Sequence, residues 1–473
     1  MIPLLRLFYK AAIIAGLGLS LTITTPEAYA VDVVNDITQI NPITVERVVT
    51  PTSAEEVSAL IRAHKGPISI GGGRYSQGGQ TACTGCLFID MRGMDRVLGF
   101  EPDKKQITVQ AGISWRAVQE AVDRENLSLR VMQSFSNFTV GGSLSVNAHG
   151  RYVGEGPIVQ SVESFRIVLA DGRLMTASRN ENRELFFGAI GGYGGLGVIT
   201  DVTLNLTDNV RVERTSKRMN TNDYKAFFES HIKPSTEAVF HNATLFPPEY
   251  KSVSALTFSR TEKPLTITDR LAPRNPAGSG RRFLIDWATH GPFGKQIKEY
   301  VYEPLVNGSR HVAWRNYDAS FDVASIEPAS RTRSTYVLQE YFVPEDRFDD
   351  FLPRLRDILR RHHVNVLNVS IRHTHADPDT LLNWARSDVF SFVLYYEQGV
   401  TPADRDVTGV WTRELIDAAI QEGGSYYLPY QIHATPAQFH AAYPRAEAFF
   451  ALKRRLDPEY KFRNRLWEAY YTP

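Results

Sequence analysis

The chain has 473 residues, 43% of them hydrophobic, with 53 Lys plus Arg against 52 Asp plus Glu. That length exceeds what one ordinary core organises, so two or three packed units are expected. The balance of charge, and the lack of a basic run of five or more residues, give no support to a nucleic-acid partner.

The N-terminus comes first. Arg6 and Lys10 precede an apolar run from Ala11 to Leu21, and Ala28-Tyr29-Ala30 follows with small-x-small spacing. This is the layout of a signal peptide over residues 1–30, with export to the periplasm or the extracellular space. The run is shorter than the roughly 20 residues that span a bilayer, so membrane contact is expected only through an uncleaved N-terminus. No twin arginine is present, which indicates the general export route.

Residues 31–209 read as a first domain in which short strands, glycine loops and helices alternate. Ser53-x-x-Glu56 has capping-box spacing ahead of a helix to about His64, and a strand follows over Pro67 to Ile70. The only cysteines, Cys83 and Cys86, lack the second pair a zinc ribbon needs and the strand-to-helix setting of a redox motif, so they form a local disulfide or are idle thiols. "ITVQAG" (Ile107 to Gly112) reads as a strand, and Trp115, Val118 and Val122 share one helical face after Ser114. In "SFRIVLADGRLMTA" the alternation of Phe165, Ile167 and Leu169 ahead of Asp171-Gly172 predicts a hairpin.

Three glycine-rich stretches punctuate this domain. "GGYGGLG" (Gly191 to Gly197) has the G-x-G-x-x-G spacing of a dinucleotide fingerprint, but a helix precedes it and a β-branched strand, "VITDVTLNL", follows it. A Rossmann site needs the reverse order, because the helix N-terminus binds the pyrophosphate, so that reading is rejected. "SIGGGRYSQGGQ" (Ser69 to Gln80) lacks the Lys-Ser/Thr of a P-loop. "FTVGGSLSVNAHG" (Phe138 to Gly150) reads as a third loop, with side chains small enough for main-chain amides to approach a ligand.

After Asn209 a second domain is expected over residues 210–424, with "LAPRNPAGSGRR" (Leu271 to Arg282) as a surface loop. A C-terminal segment, 425–473, contains an amphipathic helix ending near Leu456 and stopped by Asp457-Pro458.

As a set, "SIGGGRYSQGGQ…FIDMRGM", "FTVGGSLSVNAHG" and "GGYGGLGVIT" resemble the FAD-binding domain of the vanillyl-alcohol oxidase and p-cresol methylhydroxylase superfamily, over about Ile43 to Leu206. The resemblance implies an α+β protein: a PCMH-type FAD-binding domain of two α/β subdomains, an α+β substrate or cap domain with an antiparallel sheet, and a C-terminal segment returning to the flavin. It places Gly71, Gly72, Gly73, Arg74, Tyr75 and Ser76 in the pyrophosphate loop, with Gln80 just beyond. It puts Thr139, Gly142 and Ser145 in a second FAD loop, and Val198 and Ile199 at a strand start touching the adenosine side. Tyr75 and Asn137 stand where members that tether their flavin carry His and Cys, which implies non-covalent FAD.

"NAHG" (Asn147 to Gly150), "VSIRHTHAD" (Val369 to Asp377) and "LQEYFVP" (Leu338 to Pro344) resemble segments of the aldonolactone and alditol oxidases and of decaprenylphosphoryl-ribose oxidase. In that branch Arg372 lies beside the flavin and Glu340 faces the site. "YYLPYQIHATPAQFHAAYPR" resembles the C-terminal return of the last of these enzymes, but its active-site lysine is replaced by Tyr430, which leaves the prenyl-sugar substrate unsupported. The implied activity is oxidation of a CH–OH group of a sugar, polyol, lactone or related carbohydrate, with oxygen, a quinone or a protein as electron acceptor. The alternatives are an amine-oxidising relative or an exported flavoprotein that relays electrons or binds a ligand.

Chemically, such a reaction needs a cation beside the flavin and an acid or base within hydrogen-bond reach of the substrate hydroxyl. Arg372 suits the first role; Glu340, His149, Tyr430 and Gln431 are the candidates for the second. His373 and His375 lack a distant further ligand in the sequence pattern, so no metal is expected.

Overall fold

The computed structural model describes residues 32–274, 287, 289–291, 293–328 and 330–473. The expected signal segment, and the part of the expected surface loop beyond residue 274, lie outside the described residues.

A two-stranded antiparallel pair, Val33–Val34 with Ile43–Thr44, precedes three parallel strands, β1 (Arg47–Val49), β2 (Ile68–Gly71) and β3 (Leu87–Asp90), in the spatial order β1-β3-β2. Parallel neighbours need crossovers, and α1 (Ala54–Ala63) supplies the one between β1 and β2. Ser53 caps α1 by accepting from the Glu56 N–H at 3.2 Å. The reciprocal arm of the expected capping box goes elsewhere, because the Glu56 carboxylate accepts from the Thr52 N–H at 2.6 Å. Val57 and Ile61 of α1 pack with Ile68, Leu87 and Ile89 against Phe462 of the C-terminal segment.

A six-stranded antiparallel sheet follows, made of β4 (Val97–Glu101), β5 (Gln106–Gln110), β6 (Leu127–Leu129), β7 (Val162–Val168), β8 (Leu174–Ser178) and β9 (Val198–Asp208). Its order is β8-β7-β9-β5-β4, with β6 also on β9. The predicted hairpin is β7–β8, turning at Asp171-Gly172. Helix α2 (Trp115–Val122) is capped by Ser114, and helix α4 (Arg183–Ala189) precedes the third glycine stretch as its sequence indicates.

One expectation fails here. Val140–Ser145, expected as part of a glycine loop, is a short helix, α3, with Thr139 at its N-cap position. Glycine disfavours helix by propensity, but Gly141 rests on Ala111, where an added Cβ would come to 2.8 Å from the Ala111 Cβ. Close packing, together with burial of Val140 and Leu144, outweighs propensity.

The remaining strands form one eight-stranded sheet, antiparallel throughout. They are β10 (Arg211–Asn220), β11 (Ala238–Leu245), β12 (Ser252–Arg260), β13 (Val312–Trp314), β14 (Ser334–Pro344), β15 (Val366–Thr374), β16 (Val389–Gly399) and β17 (Ser425–Tyr426). The order is β13-β10-β12-β11-β15-β16-β14-β17. Helix α5 (Phe348–Arg361) covers one face through Phe348 and Phe351 against Phe390 and Phe392, and α6 (Pro402–Gln421) packs beside it. Because strand side chains alternate, Leu338 and Glu340, Ser370 and Arg372, and Val393 and Tyr395 point the other way, into a cavity of about 740 Å³. No helix among the described residues is long and apolar enough to cross a membrane.

Candidate active site

One wall of this cavity is main chain. Gly72, Gly73, Arg74, Tyr75 and Ser76 line it, and the N–H groups of Arg74, Tyr75 and Ser76 donate to nothing among the described residues. Arg74 adopts φ 58°, so the turn presents successive amides to one side, the geometry of an anion-binding nest. A Cβ on Gly72 would run into Thr139 Oγ1, the atom that accepts from Gly73 N–H at 3.3 Å. Thr139, Gly142 and Ser145 line the same wall, as do Gly194, Gly197 and Ile199 at the start of β9.

Two residues assigned to this wall sit behind it. Val198 is fully buried in the core beside Val168, and Gly71 backs onto the Phe88 ring. Gln80 is on the wall, but its amide is spent on protein: Nε2 donates to Leu428 O at 2.7 Å and Tyr430 O at 2.6 Å, and Oε1 accepts from Gly78 N–H. It fastens the glycine loop to the C-terminal return. The third glycine stretch is fastened similarly. The buried Lys453 of α7 (Ala446–Leu456) donates to Gly195 O at 2.7 Å and to Asp457 at 2.9 Å, and Asn464 donates to Tyr193 O.

The opposite wall is side chain. Glu340 faces Val393, which faces Ser370, while Phe342, Ser391 and Arg372 form the next rung. Glu340 is therefore one rung from Arg372. Both it and His149 are only about 3% exposed, and His149 Nε2 lies 2.7 Å from Glu340 Oε1, at ion-pair distance but off the hydrogen-bond axis. Burial alone would raise the Glu340 pKa, but His149 and Arg372 together bring it below the ordinary carboxylate value. Tyr430 donates to Glu340 Oε2 at 3.4 Å, and burial raises its own pKa well above the usual phenol. The Nε of Arg372 is buried without a hydrogen-bond partner among the described residues.

The structure thus brings His149, Glu340, Arg372 and Tyr430 to one place. It separates Gln431, which lies off the cavity wall with its amide paired to Gln398 at 2.6 Å. It also corrects the expectation for His373 and His375, which do have distant partners: Glu345 lies 3.1 Å from His373 and Asp388 lies 2.9 Å from His375. Ligand atoms of Glu345, His373 and Asp388 fall within 4.8 Å of one another, and Lys233 bonds Glu345 at 2.7 Å. Sequence reasoning missed Arg151, whose only signal was its place directly after His149-Gly150, and Tyr427, whose hydroxyl donates to Val146 O beside α3.

An unpaired run of amides, a glycine that admits no Cβ, and an arginine whose buried Nε has no partner among the described residues suit a diphosphate-bearing, charge-developing cofactor. Residues 45–178 match the family model described as an FAD binding domain. The chain carries an FAD-binding domain. Over most of its length it is homologous to aldonolactone enzymes: it is 26% identical to L-gulonolactone oxidase of Bos taurus over 432 residues, 89% of this chain and 94% of that one. It is 22% identical to L-gulono-1,4-lactone dehydrogenase of Mycobacterium tuberculosis over 422 residues, 88% and 94% of the two chains. A shorter match, 32% over 158 residues, covers 33% of this chain and 26% of the mitochondrial L-galactono-1,4-lactone dehydrogenase of Arabidopsis thaliana. This FAD-dependent oxidoreductase has the α+β architecture that its glycine motifs indicate.

Proposed function

We propose that the protein oxidises a CH–OH group of a sugar, polyol or sugar lactone. The observation that carries this reading is the convergence of Arg372 with the buried Glu340–His149 pair where the strand face meets the amide-lined wall. Bound FAD would supply the acceptor for a hydride from the carbinol carbon. Arg372 offers a guanidinium donor to the negative charge that develops. The hydroxyl proton passes to the Glu340–His149 pair, which acts as one coupled base; Tyr430, protonated at working pH, donates to Glu340 Oε2 and orients it. The surrounding Trp384, Phe342 and Tyr427 rings pack against His149 and exclude water from the pair.

The experiment is anaerobic addition of a polyol, sugar and sugar-lactone panel to the flavin-loaded protein. Bleaching of the flavin by one member is the expected result; no bleaching by any member overturns the reading and favours an electron relay or ligand-binding flavoprotein. In Glu340→Gln, bleaching slows by about 10²-fold or more with the flavin still bound.

We further propose that FAD is held non-covalently. Tyr75 packs on Phe138 at 4.5 Å, Asn137 is engaged with Asp322 and Val323, and both cysteines, Cys83 and Cys86, are joined in a disulfide. Acid precipitation leaves the yellow colour in the supernatant; colour in the pellet refutes the assignment. The disulfide also supports export to an oxidising compartment.

A further inference from the structure

Beyond the catalytic groups, the strand-face end of the cavity is unusually cationic. Arg151, Arg214, Lys295 and Arg372 all line it, and none makes an ion pair with a carboxylate among the described residues. Arg151 donates only to neutral acceptors, Asn242 Oδ1 at 3.2 Å and Asp318 O at 2.8 Å, with its guanidinium lying over the Phe258 ring at 4.6 Å. Arg214 likewise donates to Val306 O, Ser309 O and Ser309 Oγ, and its Nε is buried without a partner.

The carboxylates nearby are already engaged. His311 holds Asp318 at 3.0 Å, Asn307 donates to Glu303 at 2.8 Å, and His149 sits on Glu340. With Lys298, which lines the same end, five cations face Glu303, Asp318 and Glu340 among the described residues; setting Arg372 against Glu340 still leaves Arg151, Arg214, Lys295 and Lys298 against two carboxylates, an arrangement that costs free energy unless an anion completes it. The diphosphate nest lies on the other wall, and Arg372 stands next to the base pair. The excess is therefore available to something other than the cofactor.

We propose that the substrate carries an anionic group, a carboxylate or a phosphate, held by Arg151, Arg214 and Lys295 while its carbinol carbon lies near Glu340 and Arg372. The substrate class is then a sugar acid or a sugar phosphate. This inference rests on the proposed CH–OH oxidation.

The test is calorimetric binding to the flavin-loaded protein with D-glucuronate, D-glucose 6-phosphate and neutral D-glucose as probes, followed by the anaerobic bleaching assay with the same three compounds. At least one anion binds about ten-fold or more tighter than D-glucose, since charge-assisted hydrogen bonds exceed neutral ones by this margin. Whichever anion binds better identifies carboxylate or phosphate as the natural group. In the double variant Arg214→Gln/Lys295→Gln the gap closes; this variant keeps Arg151, whose removal endangers folding. Equal binding of charged and neutral probes, or a gap unchanged in the double variant, overturns the anion site. Tight anion binding in a protein that no panel member bleaches leaves the anion site standing and removes the oxidation reading. Bleaching by neutral lactones with no preference for anions does the reverse.

Discussion

The two walls of the cavity are built on opposite principles. The flavin wall is main chain and small side chains: Gly72, Gly73, Gly142 and Ser145 matter for what they lack. The strand wall is charge: Glu340, Arg372, Arg151 and Arg214 matter for what they carry; the alternation of β10, β14 and β15 aims Arg214, Glu340 and Arg372, while Arg151 enters from the bend after Gly150. The first wall is intolerant of added atoms, and the second of removed charge. Under the proposed function, cofactor binding and choice of substrate fall to separate parts of the chain.

Substitutions sharpen that contrast. The largest expected effect is from Gly72→Val, whose side chain would occupy the space of Thr139 Oγ1. The protein folds with normal circular dichroism but purifies colourless and takes up no added FAD; retention of yellow colour would contradict the main-chain role of this wall. Next is Lys453→Met beneath the Gly191–Gly197 turn, which leaves the Asp457 carboxylate buried with only the Lys461 and Phe462 N–H groups and no cation, both residues of the pair being wholly inaccessible. Stability falls by about 3–5 kcal/mol in urea titration, the cost of breaking a buried pair from one side. A loss below 1 kcal/mol would mean that the turn does not depend on the C-terminal helix.

On the strand wall, Arg372→Met lowers the rate of flavin reduction by about 10²–10³-fold in stopped-flow measurements, while FAD content stays at the wild-type level. Loss of flavin in that variant would erase the division between the two walls. The smallest effect is in pH dependence. Behind the strand wall His241 is buried between Tyr224 and Thr257, and burial holds its pKa down to about 3. Unfolding lets it take a proton at its ordinary value near 6.5. The unfolded state therefore binds more protons between about pH 6.5 and 3, and stability falls on acidification through that window by at most about 1.4 kcal/mol per pH unit for this group. His241→Phe removes that share of the slope in denaturation curves at pH 4 to 7; an unchanged slope would place the acid sensitivity elsewhere, with the half-buried His433 as the next group to replace.

Much of the flavin wall was legible in the sequence, because glycine spacing reports directly on where main chain must approach a ligand. The order of "NRELFFGAI", "GGYGGLG" and "VITDVTLNL" was enough to reject a Rossmann site, and the helix and strand stand where that order requires. What failed was local: Val140–Ser145 is helical although it contains two glycines, since contact with Ala111 decides the matter. Gln431 read as well as Tyr430 for a catalytic role. One residue of register turns its amide toward Gln398 and away from the cavity.

The strand wall was harder to read. Glu340 and Arg372 could be singled out, but nothing local shows that His149, distant in sequence, meets Glu340 within 2.7 Å, or that Arg151 and Arg214 share one end of the same cavity. Nor does "RHTHAD" reveal that Glu345 and Asp388 close on its two histidines.

The amino-acid sequence by itself determined that this protein has an amide-lined cradle of glycine turns, because backbone conformation and the space around a missing Cβ are short-range properties. Only the tertiary structure decided which charges meet. Ion pairing depends on the register of the antiparallel strands and on side chains brought together across hundreds of residues, and the electrostatic effect of each charge is set by burial, which no local pattern encodes.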